Sequence, residues 1–140
     1  MRPRILVQTE DFDINAEMQR LTAENTGGIA TFTGIVRAQN AAGPAITALT
    51  LEHYPGMTEA ALEKIAREAD SRWPLTACTL IHRTGRLTPG DRIVFVGTAS
   101  AHRQAALASC AFLIDWLKTN APFWKKEDFA NGTSHWVEPT

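Results

Sequence analysis

The chain has 140 residues, 44% hydrophobic and 21% charged, a composition that makes one globular domain with room for a single core. Fourteen Lys+Arg against fifteen Asp+Glu leave a net charge of −1, and aromatics are only 8%, which excludes the basic aromatic stripe of a general nucleic-acid binder. No apolar run approaches the roughly 18 residues of a membrane span, and the apolar stretch after Arg4 stops at Gln8, too short for a signal-peptide core, so a cytoplasmic protein is expected.

Residues 4–8 read as a short strand. Asp13 can accept from the free N–H groups of a first turn and so cap a short helix running to about Ala23. Gly27-Gly28 breaks the chain. The β-branched run Ile29 to Val36 predicts a strand ending at Arg37, residues 38–44 form a small-residue loop, and Ala45 to Tyr54 alternates as the next strand. After Pro55-Gly56, Thr58 is the expected N-cap of a helix, with Met57 stapled onto Leu62. Leu62, Ile65, Ala66 and Ala69 recur at helical spacing until Pro74 stops the element.

Leu75 to Thr84 and Arg92 to Ala99 predict two strands, and the short connection through Gly85 and Gly90 makes them antiparallel neighbours. Ser100 is the expected cap of a second main helix, burying Ala105, Ala108, Phe112, Leu113 and Trp116 and ending near Asn120 because Pro122 follows. A last strand falls around residues 135–138. Strands outnumber helices without βα alternation, so the class is α+β, a mostly antiparallel sheet with two main packed helices, in one domain over residues 1–140. Cys78 and Cys110 sit in apolar company and read as buried packing residues.

The charge is unevenly placed. Between His82 and Lys126 the chain carries seven cations (Arg83, Arg86, Arg92, Arg103, Lys118, Lys125, Lys126) and two anions (Asp91, Asp115), a local net of +5 in a chain that is nearly neutral. Such gathering points to an anion site. Ser100-Ala101-His102-Arg103 opens a helix straight after a strand, where free N–H groups and the helix dipole suit a phosphate or carboxylate. Arg37 at a strand end fits the same role, although surface cations on a first turn and a strand end explain these residues equally well.

Lys118 lies in a last helical turn, where a cation also complements the dipole. Beyond it, Ala121-Pro122-Phe123-Trp124 can anchor Lys125 so that it points back toward Lys118. Two close ammonium groups lower the pKa of at least one and favour a neutral amine able to act as nucleophile or proton shuttle. Cys78, His82, His102 and Cys110 lack zinc spacing, no Gly-rich phosphate loop is present, and no metal or cofactor is expected. His53 and His82 read as core or edge histidines.

Taken in order, TFTGIVR (31–37), LTLEHYPGM (49–57), RWPL (72–75), IHRTG (81–85), SAHR (100–103), DWLK (115–118), APFWKKE (121–127) and WVE (136–138) resemble the MoaE family, the catalytic subunit of molybdopterin synthase, across residues 27 to 138. The resemblance implies an α/β-hammerhead fold and a homodimer within a heterotetramer, with a small ubiquitin-like sulfur-carrier subunit bound at each end. It implies transfer of two sulfurs, delivered as the carrier's C-terminal thiocarboxylate, to cyclic pyranopterin monophosphate, giving the dithiolene of molybdopterin. It also implies that Lys118 and Lys125 are catalytic. Arg37, His102 and Arg103 would contact phosphate and pterin, with Lys126 and Glu127 adjoining in the same substrate pocket. Asn120 replaces a residue that is commonly basic in the family. A non-catalytic dimeric module docking a ubiquitin-like tail or an anionic ligand is the alternative, and two lysines placed to interact favour the enzyme.

Overall fold

The computed structural model describes residues 1–39 and 43–137. The middle of the loop expected at 38–44, and the end of the strand expected at 135–138, lie outside the described residues. Among the described residues there are three helices and eight strands, the strands forming two four-stranded sheets. The elements are β1 (Arg4–Gln8), α1 (Ile14–Leu21), β2 (Gly28–Ile35), β3 (Ile46–His53), α2 (Met57–Arg72), β4 (Ala77–Arg83), β5 (Gly85–Leu87), β6 (Arg92–Ser100), α3 (Arg103–Thr119), β7 (Phe123–Phe129) and β8 (Ser134–Val137). The first sheet has the order β1-β4-β6-β2 and the second β5-β3-β7-β8. Among the described residues only β1 and β4 pair in parallel, so the class is α+β, as the sequence indicated.

Strand alternation gives the first sheet two apolar faces. Cys78 and Leu80 on β4 and Val96 on β6 point toward α2 and α3, where Leu62, Ile65, Ala66, Ala69, Ala106, Cys110 and Leu113 complete the main core. Ile81, Phe95 and Ala99 point the other way and are covered by Phe12 and by Leu21 of α1. Both cysteines are buried and free, and burial pushes their thiols up to about 12 for Cys78 and about 11 for Cys110, so they stay protonated. A third cluster, Val36, Leu51, Leu87, Ala121 and Phe123, joins the two sheets.

Two helix starts differ from expectation. Asp13 does cap α1, accepting from Ala16 N–H at 3.2 Å. Helix α2, however, begins behind Gly56, whose φ of +85° makes the turn that a side chain would strain. Its N–H donates to Glu59 Oε1. Thr58 is fully buried inside the first turn, its hydroxyl accepting from Tyr54 N–H, and Met57 is 65% exposed rather than stapled. Likewise Ser100 ends β6, buried, with its hydroxyl donating to Pro74 O at 2.7 Å, and His102 takes the N-cap position of α3. The buried stripe of α3 is Ala106, Ser109, Cys110 and Leu113, one position away from the expected alanines.

Strands β4 and β6 are antiparallel neighbours. Their connection is more than a hairpin loop, because β5 leaves it to pair with β3 in the second sheet. Strand β7 has no counterpart among the expected elements. It lies antiparallel between β3 and β8.

Candidate active site

Helix α3 carries a cationic group at each end. At its N-terminus, β2 begins against the turn that enters the helix. Gly27 N–H donates to Ser100 O at 2.9 Å. A Cβ on Gly27 would stand 2.1 Å from Ala101 O, and one on Gly28 would stand 3.3 Å from Arg103 Cα. The two glycines therefore let the backbone close on this turn. His102, Arg103 and Gln104 are exposed there, and the His102 side chain makes no capping hydrogen bond to the first N–H groups of the helix. Gly27, Ala101, His102, Arg103, Gln104 and Leu107 line an open hollow of about 700 Å³. Free backbone donors, the helix dipole, an imidazole and a guanidinium meet in it, a donor set for a phosphate or carboxylate.

At the other end, Lys118 is exposed in the last turn and Asn120 closes the helix. Ala121 and Phe123 are buried, which turns the chain directly into β7. The register of β7 sets Lys125 opposite Leu51 on one side and Val137 on the other, so Phe123, Lys125 and Glu127 share a sheet face. The pKa of Lys125 is lowered: protein crowding around the ammonium is the main cause, the Glu127 carboxylate opposes it, and the charge of Lys118 adds to the lowering. The Lys125 side chain itself is solvent-exposed, and the repulsion from Lys118 is the smaller of the two lowering effects. Arg37 is exposed and follows Val36, which packs with Ala121 and Phe123, so it reaches the same end of the molecule.

Lys126 is on the opposite face of β7, over the Trp136 ring at 5.9 Å. Neighbouring residues of a strand point to opposite sides, so the chain does not put the two consecutive lysines in one pocket. Nor does it unite the two ends of α3. Between Arg103 and Lys118 the helix rises about 22 Å. One copy of the chain therefore holds two cationic sites, one with His102 and Arg103, the other with Lys118, Lys125, Glu127 and Arg37. The pocket expected to gather all of these residues is therefore not formed within one copy of the chain.

Two histidines that read as merely structural in the sequence lie next to the lysines. His82 is buried, its Nδ1 is 2.9 Å from Arg83 O, and its ring stacks on Phe123 with centroids 3.8 Å apart and planes at 17°. A carbonyl only accepts, so Nδ1 carries the proton. His53, the cross-strand partner of Phe123, lies on the ring at 6.4 Å. Burial pulls the pKa of His82 down to about 4; its bond to Arg83 opposes this, and the Lys125 and His53 charges add to the lowering.

The unfolded chain then binds a proton near pH 6.5 that the folded chain refuses until about 4. Stability from this residue is complete above pH 6.5 and is lost as pH falls toward 4, by about 3 kcal/mol in all. Urea unfolding of the wild type from pH 7 to 4 should show that loss, and His82→Phe should remove this share of it. Equal slopes in both proteins would contradict the assignment.

The protein-family model described as MoaE protein matches residues 7–120. The chain belongs to the MoaE family. A "Molybdopterin synthase catalytic subunit" from Pseudomonas aeruginosa is 55% identical over 136 residues, covering 96% of this chain and 89% of the relative. Among solved structures, the molybdopterin biosynthesis MoaE protein from Burkholderia ambifaria is 52% identical, with TM-score 0.82 over 96% of this chain and 88% of that one. The fold is also shared, at 22% identity and TM-score 0.77 over 98% and 90% of the two chains, with a protein–protein complex of subunits 1 and 2 of molybdopterin-converting factor from Helicobacter pylori.

Proposed function

We propose that the whole of residues 1–140 forms one MoaE-like domain acting as the catalytic subunit of a molybdopterin synthase. It takes sulfur from the C-terminal thiocarboxylate of a small ubiquitin-like carrier and installs two sulfurs on cyclic pyranopterin monophosphate. Family membership supports the reaction class, and the Helicobacter structure of two different subunits together fits the need for a carrier. The observation that carries the reading is the lysine pair. Lys125, partly desolvated by the surrounding protein and subject to the charge of Lys118, is less basic than an ordinary lysine, which enlarges the share of its neutral amine. Lys118 and Lys125 are the catalytic residues in this reading, Glu127 tunes Lys125, and Arg37 steadies an anion beside them. Lys126, held over Trp136, supports the β7–β8 pair rather than touching substrate. The chemistry and the two free thiols suit the cytoplasm.

His102 and Arg103 join this site only from a second copy. Two chains related by a two-fold axis near the middle of α3 set the start of one α3 beside the end of the other, which cancels the separation of about 22 Å. Strand β2 is an edge of its sheet, and Phe32, Ile35 and Leu107 are exposed there. Covering them gives such a dimer its apolar contact. Light scattering should report a dimer at micromolar concentration. Mixing Lys118→Ala with Arg103→Ala should give more turnover at low pterin than the two variants show separately, because mixed dimers contain one intact site.

The direct test is to combine the protein with thiocarboxylated carrier and cyclic pterin and to look for the dithiolene product. Its absence would defeat the reading. Arg103→Ala should weaken pterin binding by roughly 1.5–3 kcal/mol with little change in Tm, since the side chain is exposed and its loss opens no cavity. A large Tm loss with unchanged pterin affinity would remove Arg103 from the site.

A further inference from the structure

Lys125 is placed by a stack of rings that links the two sheets. It stands two residues beyond Phe123 on the same face of β7. Phe123 is 4% exposed and neighbours His82 of β4 and His53 of β3. The contacts are unequal. His53 is tilted at 36° and 6.4 Å, whereas His82 is stacked nearly parallel at 3.8 Å. His82 is also the better anchored of the two histidines. Its strand is paired on both sides, with β1 and with β6, and its Nδ1–H donates to Arg83 O, which fixes the ring plane. Strand β7, by contrast, belongs to the second sheet, and its outer neighbour β8 is an exposed edge. The first sheet thus meets the lysine-bearing strand at the His82 ring, beside the apolar cluster of Val36, Leu51, Leu87 and Phe123 that joins the two sheets.

We infer that His82 is a positioning residue for Lys125: its ring, clamped to Arg83 O and stacked on Phe123, holds β7 so that Lys125, two residues further along the same face, keeps its place at the site. This inference rests on the proposed sulfur-transfer reading for its meaning, but not for its measurement. The groups facing the His82 ring are Lys125 and Phe123 on β7, His53 on β3 and the Arg83 carbonyl on its own strand. The cations among them disfavour a proton on His82, and burial disfavours it more. The ring therefore remains neutral, and the stack intact, at any pH well above about 4.

Two variants separate ring stacking from mere filling of space. His82→Phe keeps an aromatic ring on Phe123. His82→Leu keeps apolar volume and loses the stacked plane. The titration of Lys125, followed by NMR of 13C-labelled lysine in the full chain, needs no substrate. In the wild type and in His82→Phe it should stay below that of an ordinary lysine. In His82→Leu it should rise toward the ordinary value, as β7 loosens and Lys125 moves away from the surroundings and the Lys118 charge that lower it. Turnover is the second reading: His82→Leu should lose at least tenfold in kcat with KM for the cyclic pterin unchanged, and His82→Phe should restore most of it.

A residue that only filled the core would lower Tm in His82→Leu while leaving both the Lys125 titration and kcat as in the wild type, and that result would overturn the inference. If His82→Leu does not fold, Phe123→Leu removes the other half of the stack and is judged by the same shift. Should the wild type make no dithiolene, the function fails, while the titration still decides the role of His82.

Discussion

Gly27→Ala should cost about 3 kcal/mol of stability and lower Tm by roughly 10 °C, and it should weaken anion binding at the start of α3. The cause is lack of space rather than backbone strain, since Gly27 is not among the glycines with positive φ. The added Cβ would stand 2.1 Å from Ala101 O, well inside any van der Waals contact, and the obstacle is a backbone carbonyl rather than a flexible side chain. Either β2 must back away, breaking the Gly27 N–H to Ser100 O bond, or the turn bearing His102 and Arg103 must move. Gly132→Ala offers the contrast. Nothing lies within 4 Å of its Cβ position, and its φ of +85° alone should cost about 1 kcal/mol. Thermal unfolding of both variants, with phosphate titration of Gly27→Ala, checks the pair. An unchanged Tm in Gly27→Ala would mean that this turn yields freely and is not a built anion site.

The two long helices were legible because their apolar spacing and the prolines beyond them are local signals. Their starts were not. Thr58 and Ser100 have the chemistry of N-caps, but both hydroxyls are spent inside buried corners, on Tyr54 N–H and on Pro74 O, and the caps fall to Glu59 and to His102, whose side chain makes no capping bond. Nothing in a hydroxyl residue's neighbours along the chain tells which use will win. Strand β7 was illegible for a different reason. Its run FWKKEDF carries lysine on the face that buries phenylalanine, because that face leaves the core at Lys125 and becomes the site wall. The short β5, hidden in an expected hairpin loop, is formed only by a distant pairing with β3. The stack of His82 on Phe123 joins residues 41 apart in sequence, and no spacing rule reports it.

The gathering of cations between His82 and Lys126 is plain in the sequence, yet its residues divide between two sites. That division was available from the sequence, since a helix from residue 103 to residue 118 is about 22 Å long whatever it packs against. The alternation of a strand would also have separated Lys125 from Lys126 once β7 was known. What the sequence could not weigh is the balance at Lys125, where crowding by protein exceeds the repulsion from Lys118.

Lys118→Arg should abolish dithiolene formation almost as completely as Lys118→Ala, with the fold, the dimer and carrier docking unchanged. Lys118 is exposed at the end of α3, and no salt bridge involving it was found among the described residues, so neither change opens a cavity or strands a buried charge. Arginine keeps the positive charge that complements the helix C-terminus, and a lysine serving only there would tolerate it. Alanine would then cost merely about 0.3–1 kcal/mol of stability. A lysine that attacks or shuttles a proton must instead become neutral during turnover, and a guanidinium does not in this pH range. The assay is product formation under saturating thiocarboxylated carrier, with Tm and carrier binding measured on the same samples. Lys125 should report the change as well: the arginine variant preserves the neighbouring charge and the alanine variant removes it, so the titration of Lys125 should rise in Lys118→Ala and hold in Lys118→Arg. Loss of product in both variants, with that titration moved in only one, would assign Lys118 a chemical role of its own. Near-normal turnover in Lys118→Arg would reduce it to an electrostatic support and leave the chemistry to Lys125.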